Sequence, residues 1–383
     1  MTRTDKEAPV DKRATALRVL MVLTLLIVAL GTVGLRSPGV VVAQDATKTC
    51  AGETPIGAPA ASPAASPAAA GTSETPKLDK LNIAFLPKAV DIPYFDAAAA
   101  GAQIAATELG GQFKQVGPSE ASAAEQVPFI NTLIQQHVDA IVVAANDPNA
   151  LAPSLKQARQ QGVSVVSYDS DVAPDARTAW VNQASTEQIG RIEVQILGRE
   201  INCAGQIAIL STTPTTTNQN AWIEFMKDEL AKPGYEKMTL AEIAYGNDDP
   251  QKSLDEANRL LQAYPDLKGI ISPTSIGLPA AAQAVRAAGK TEQISVTGLS
   301  TPNQMREYVK DGTVKEFALW DVGNLGYLAY YVAALVANDQ LKGDPGETFT
   351  AGKLGSYTVG DKSEIVLGPP LVVTSDNIDQ YNF

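Results

Sequence analysis

The chain has 383 residues, a net charge of −12 and 6% aromatic residues, with a single histidine and two cysteines. An acidic balance without a basic stripe excludes a nucleic-acid surface and docking on anionic lipid. One histidine without a Cys/His cluster excludes a zinc site, and the low aromatic, alanine-rich composition fits an α/β body rather than an all-β one.

The chain opens on Lys6, Lys12, Arg13 and Arg18, followed by an apolar stretch from Val19 to Leu35. Pro38-Gly39 breaks any helix, and Val41-Val42-Ala43 has the small-residue spacing of a signal-peptidase site, so residues 1–43 read as a signal peptide. A retained membrane anchor is the alternative; either way the rest of the protein lies outside the cytoplasm. Residues 44–77 read as a disordered tether rich in Ala, Pro and Ser, typified by Ser62-Pro63-Ala64-Ala65-Ser66-Pro67. Cys50 lies within it, without the apolar run that precedes a lipidated cysteine. Pairing of Cys50 with Cys203 stays open on sequence grounds.

From residue 78 onward, short apolar runs alternate with helix-period stretches. Ile83 to Leu86 ends at Pro87-Lys88, Ile141 to Val143 at Asn146-Asp147, and Val165-Val166 at Tyr168-Asp169-Ser170-Asp171. Helices are expected over 97–109 after Pro93, over 123–135, and over 150–161 with Gly162 as its stop. A second half of similar plan follows from Gln183. It holds helices to about Ile201, over 219–232, over 250–263 and over 278–288. Its strand tips are Ser211-Thr212-Thr213-Pro214, Ser272-Pro273-Thr274-Ser275 and Thr297 to Thr301. After Val314 to Leu319 comes Trp320-Asp321, then an apolar helix over 324–338 and a tail of short strand-like segments. Alternating strand and helix imply parallel sheets, whose carboxyl ends hold ligands.

Those ends offer hydroxyls, amides, carboxylates and one lysine, which suits gripping a polyol. Enzyme chemistry is missing: there is no Ser-His-Asp set, no P-loop and no Gly-x-Gly-x-x-Gly after the first strand. His137 reads as a surface residue at a helix end. Asn247-Asp248-Asp249-Pro250 lacks calcium-loop spacing and reads as a helix cap and first turn. Asp169 and Asp171, two apart at one strand tip, have no partner suited to glycoside hydrolysis. No cofactor, metal site or catalytic residue is expected.

The chain resembles the periplasmic-binding-protein-like sugar receptors of ABC importers, in the branch of rhamnose-binding and autoinducer-2-binding proteins. The resemblance covers nearly everything from Lys80 to Phe383. It rests on Ile83 to Lys88, Ala145-Asn146-Asp147-Pro148-Asn149-Ala150-Leu151, Tyr168 to Asp171, Thr217-Asn218-Gln219-Asn220-Ala221-Trp222, Leu299 to Met305 and Gly312 to Asp321. It implies two Rossmann-like lobes with parallel sheets joined by a three-segment hinge, the type I fold. The first lobe would span 78–182 with 322–345 and the second 183–321 with 346–383, with crossings near Asn182, Asp321 and Tyr357.

The resemblance also implies a site. Lys88 would donate to ligand hydroxyls and Asp169 would accept from vicinal ones. Asn218 and Gln219 match an acid–amide pair of the autoinducer-2 receptor, with an amide here in place of the acid, which favours the rhamnose type. Pro273 and Ser275 would contribute backbone contacts and Phe95 (ahead of Tyr94) a stacking ring; Trp222, one helical turn past Asn218, faces either cleft or core, and Trp320 and Asp321 are expected near the ligand and the hinge at the second crossing. The expected function is capture of a monosaccharide by lobe closure and presentation of the closed form to permease subunits. The protein is expected to act as a monomer, with an autoinducer-2 receptor or a sugar sensor feeding a signalling receptor as alternatives.

Overall fold

The structure is a computed structural model that describes residues 48–56 and 80–383. The signal peptide expected over 1–43, and the part of the tether over 57–77, lie outside those residues. The first segment runs β1 (Asn82–Leu86), α1 (Pro93–Leu109), β2 (Gln112–Gln115), α2 (Ala123–Gln135), β3 (Ala140–Val143), α3 (Pro148–Gln160), β4 (Ser164–Tyr168) and β5 (Ala179–Asn182). The second runs α4 (Thr186–Glu200), β6 (Ala204–Ser211), α5 (Thr217–Leu230), β7 (Lys237–Tyr245), α6 (Pro250–Ala263), β8 (Leu267–Ser272), α7 (Gly277–Ala287), β9 (Ser295–Gly298), α8 (Pro302–Lys310) and β10 (Glu316–Leu319). The chain then returns through α9 (Val322–Ala337), β11 (Thr348–Thr350), β12 (Ser356–Thr358), β13 (Glu364–Val366) and β14 (Leu371–Thr374).

Local chemistry sets these boundaries. Proline stands in the first turn of α1, α3, α6 and α8, where its missing N–H costs nothing. Side chains of Ser122, Asp147, Asp249 and Asp321 accept backbone N–H groups at the starts of α2, α3, α6 and α9. On α6 the buried residues are Ser253, Ala257, Leu260 and Leu261, a one-faced spacing that lays the helix against a sheet.

The first lobe carries a six-stranded sheet in the order β13-β5-β4-β3-β1-β2, with every pairing parallel. The second carries β7-β6-β8-β9, also parallel, extended by a parallel bridge between Leu299 and Ala318 to β10, which pairs antiparallel with β14. Helix α9 packs on the first lobe, beside α1 and over β3, β4 and β5. Its residues are buried nearly all round, from Val322 to Val336. Each large apolar side chain so placed contributes about 1.5–3 kcal/mol. The two helices approach at small residues: a Cβ on Gly326 would stand 1.8 Å from the Ala98 carbonyl oxygen.

Three expectations need correction. The tail 346–383 does not belong wholly to the second lobe. β13 extends the first sheet beside β5, with Ile365 fully buried and Asn182 donating its side-chain amide to Glu364 Oε1 at 2.6 Å. A three-residue strand is too short to carry a readable period. The third crossing is therefore Leu367-Gly368-Pro369-Pro370, between β13 and β14, and not Tyr357, which sits in the β11–β12 hairpin.

The third correction concerns residues 48–56, which are not a free tether. Cys50 is disulfide-bonded to Cys203 at the end of α4, Ile56 donates its N–H to Gln195 Oε1 at 2.9 Å, and Glu53 pairs with Lys232 at 2.8 Å. The segment is stapled to the second lobe.

Candidate functional site

The tips of β1, β3 and β4 are stitched together before any side chain reaches the cleft. Gln126, fully buried on α2, donates to the carbonyls of Pro87 (2.9 Å) and Ala144 (2.8 Å) and accepts from the Asn146 N–H at 3.0 Å. Asn146 in turn donates to the Lys88 carbonyl at 2.8 Å, and Ser170 Oγ donates to the Ala145 carbonyl at 2.6 Å. This frame fixes Lys88 and Asp169. Their side chains form a 2.7 Å ion pair, each only 5% exposed.

Asp169 has a positive φ of 57°, a conformation that short polar side chains tolerate, and it turns the carboxylate away from the strand direction. Tyr94 donates its hydroxyl to Asp169 Oδ1 at 3.2 Å, and Trp320 Nε1 donates to the Tyr94 oxygen at 3.1 Å. Burial and the neighbouring Asp169 charge push the Tyr94 phenol well above its ordinary pKa, so it stays a neutral donor. Asp171 is a separate matter: Arg177 grips it with Nε at 2.6 Å and Nη2 at 2.7 Å. The two carboxylates do not form a catalytic pair.

From the second lobe, Asn218 Nδ2 donates to Asp169 Oδ1 at 3.3 Å across the cleft. Gln219 Oε1 accepts from Ser211 Oγ (2.8 Å) and the Thr212 N–H (2.9 Å), which ties the start of α5 to the tip of β6. Trp222, one turn further along α5, packs 6.0 Å from Trp320, and its buried Nε1 has no hydrogen-bond partner among the described residues. A buried donor left without an acceptor is costly.

Lys88, Tyr94, Asp169, Asn218, Gln219, Trp222 and Trp320 line one cavity, together with Ile92, Phe95, Asp248, Pro273, Thr274, Ser275, Leu299 and Leu319. Of the residues expected from sequence, Lys88, Phe95, Asp169, Asn218, Gln219, Trp222, Pro273, Ser275 and Trp320 all reach it. Asp321 does not. It caps α9, accepting from the Asn324 N–H at 2.8 Å, because neighbours along an extended segment point to opposite sides. Tyr94 proves as central as Phe95, and Asp248 was not singled out as a ligand residue. The cap of α6 is Asp249, whose carboxylate accepts from the Lys252 N–H at 2.6 Å, and this frees Asp248 for the cavity. Among the described residues no group of His, Cys, Asp and Glu is placed to hold a metal ion.

An acid–lysine pair thus faces opposing amides and indoles in this cavity, an arrangement that offers donors and acceptors to hydroxyl groups. Residues 83–341 match the periplasmic binding protein domain. The chain belongs to that family. Its members are binding proteins rather than enzymes.

A sugar ABC transporter protein from Actinomyces odontolyticus is 43% identical, covering 80% of this chain and 98% of that one, with a TM-score of 0.65. A solute-binding protein from Clostridium phytofermentas with bound L-rhamnose is 33% identical over 79% of this chain and 98% of its own, with a TM-score of 0.76. LsrB from Clostridium saccharobutylicum in complex with AI-2 is 29% identical over 79% and 99%, with a TM-score of 0.74. The D-ribose/D-allose-binding protein of Pseudomonas aeruginosa is 27% identical over 252 residues, 63% of this chain and 77% of that protein.

Proposed function

We propose that this protein captures a neutral monosaccharide of the rhamnose type by closing its two lobes, and presents the closed form to the permease of an ABC transporter. The coarse part of this reading, a sugar-binding component working outside the cytoplasm, follows from the family and from relatives that carry that role. The observation that carries the finer part is the wall of the cavity. Its lining combines polar groups, Lys88, Asp169, Asn218, Gln219 and the Trp222 N–H, with the apolar side chains of Ile92, Phe95, Leu299 and Leu319. A 6-deoxy sugar sets its methyl against such apolar side chains. A hydroxymethyl group there loses water without gaining a partner, at a cost of about 1–3 kcal/mol.

Closure is supported by the bonds from Asn218 to Asp169 and from Trp320 to Tyr94, which join groups from different segments of the chain. The crossings at Asn182 to Ser185, at Trp320-Asp321 and at Leu367 to Pro370 absorb the rotation. Titration calorimetry with L-rhamnose, D-ribose, D-arabinose and AI-2 tests the reading. L-rhamnose binding tightest, at micromolar Kd or better, supports it. AI-2 binding tightest reassigns the chain as an AI-2 receptor, and no binding at millimolar concentration overturns the sugar assignment.

A further inference from the structure

We infer that Asp248 is a second ligand-facing carboxylate, on the second lobe, and that it makes the cleft select neutral polyols and exclude sugar acids and sugar phosphates. The inference rests on the sugar-binding reading above and narrows it. Three neighbouring strand ends build the feature. Thr212 lies at the tip of β6, Asp248 just past β7 and Thr274 just past β8, in a sheet whose order is β7-β6-β8.

Thr212 donates its hydroxyl to Asp248 Oδ1 at 2.8 Å, and Thr274 donates to the same oxygen. Two donors on one oxygen fix the plane of the carboxylate. Its other oxygen, Oδ2, accepts no hydrogen bond among the described residues, although an ionised carboxylate takes about four.

The backbone is bent to put this side chain there. Asn247 and Asp248 have φ of 58° and 51°, two successive left-handed residues without glycine. Main-chain bonds from Gly246 to Ser211 and from Asn247 to Thr212, both 2.8 Å, hold the turn without using the Asp248 carboxylate. The helix cap is likewise supplied by Asp249. Beyond the two threonine hydroxyls on Oδ1, the carboxylate serves neither the turn nor the helix cap, and it lines the cavity.

A second, separate observation marks the same cavity as a ligand place: Trp222 is 2% exposed and its Nε1 has no acceptor. The cavity thus presents one fixed acceptor and one unmet donor, a set that suits sugar hydroxyls. Charge adds a filter. Lys88 offsets Asp169, whereas Asp248 has no cationic partner among the described residues, which leaves one uncompensated negative charge facing the ligand. An anionic substituent about 6 Å away in a half-buried site loses roughly 100-fold in affinity from repulsion alone.

The test is Asp248→Asn beside Asp248→Ala, titrated with L-rhamnose and with its aldonic acid, L-rhamnonate; where another sugar of the panel binds tighter, that sugar and its aldonic acid or phosphate replace the pair. Asparagine keeps an oxygen for the two threonine hydroxyls and turns the free edge from acceptor into donor. The expected result is a 10- to 100-fold weaker hold on the sugar and at least a tenfold gain for the acid, so that the preference narrows or inverts. The alanine variant loses sugar affinity as well and melts lower, because it strands the Thr212 and Thr274 hydroxyls, whereas the asparagine variant keeps a melting temperature close to the unsubstituted protein.

If both variants stay within twofold for both ligands while Asp169→Ala still loses the sugar, the inference fails and the sugar-binding reading stands. If Asp169→Ala is also without effect, the site itself is misassigned and both fall.

Discussion

Breaking the Lys88–Asp169 pair separates a binding role from a folding role. Both side chains are nearly fully buried at 2.7 Å separation, and removing one member of such a pair costs about 3–5 kcal/mol, because the other charge stays behind without a counter-ion. Where that cost falls depends on the state of the cleft. With the lobes apart, water reaches the survivor, and an exposed pair contributes at most about 1 kcal/mol. The closed form, in which Asn218 and Tyr94 also crowd Asp169, carries nearly the whole penalty.

Asp169→Ala is thus expected to weaken ligand binding by at least about 3 kcal/mol, or more than 100-fold, while the ligand-free melting temperature moves by less than about 3 °C. Lys88→Ala should do the same. The double variant should lose far less than the sum of the two, giving a coupling energy of about 2 kcal/mol or more. Calorimetric titration and thermal unfolding of all four proteins decide the matter. Additive losses, or a ligand-free melting point about 10 °C lower with unchanged affinity, would refute the reasoning and make the pair a structural one.

Three further outcomes are expected. Cys50→Ser opens a loop spanning 153 residues, which chain entropy values at up to about 5 kcal/mol, so denaturant midpoints should fall in the variant and in reduced protein alike; equal midpoints with and without reductant would contradict this. Gly101→Ala places a methyl 1.8 Å from the Gly323 carbonyl oxygen at the α1–α9 crossing and should cost about 2–3 kcal/mol, read as a lower melting temperature. Burial, with the Glu316 charge as the second cause, pushes the Glu200 carboxyl up to about 8. The folded state then holds a proton that the unfolded chain has released above about pH 4.5. Stability should fall by up to about 1.4 kcal/mol per pH unit between roughly pH 5 and 8, and Glu200→Gln should flatten that slope; a variant with the same pH profile rules out this group as the cause.

The sequence announces the site because parallel strands are buried on both faces and end abruptly. Phe85-Leu86, Val165-Val166 and Ile270-Ile271 can only be strand interiors, so the polar residues after them mark the cleft. The same logic misses whatever lacks that contrast. β2, Gln112 to Gln115, is a polar edge strand; β13 has three residues; and nothing in two cysteines says that Cys50 folds back onto α4. Asp248 and Asp249 are adjacent and chemically identical, and only the φ values decide which one caps the helix and which faces the cavity. Asp321 fails for a related reason: it follows Trp320 in sequence but faces the other way.

Asp169 already receives two hydrogen bonds on Oδ1, from Tyr94 and Asn218, while Oδ2 is ion-paired with Lys88 and accepts no hydrogen bond among the described residues. A sugar hydroxyl entering the cavity takes the remaining acceptor capacity or displaces the weakest of these, the 3.3 Å bond from Asn218. That bond crosses between the lobes. A bound ligand must therefore restore the link it displaces, accepting from the freed Asn218 amide on one side while donating to Asp169 on the other. A guest with a single hydroxyl cannot do both, whereas a vicinal diol can. On the proposed reading, specificity for polyols would arise from the requirement to rebuild this bridge, and affinity should track how many of the bonds from Asn218 and to Asp169 a given sugar replaces.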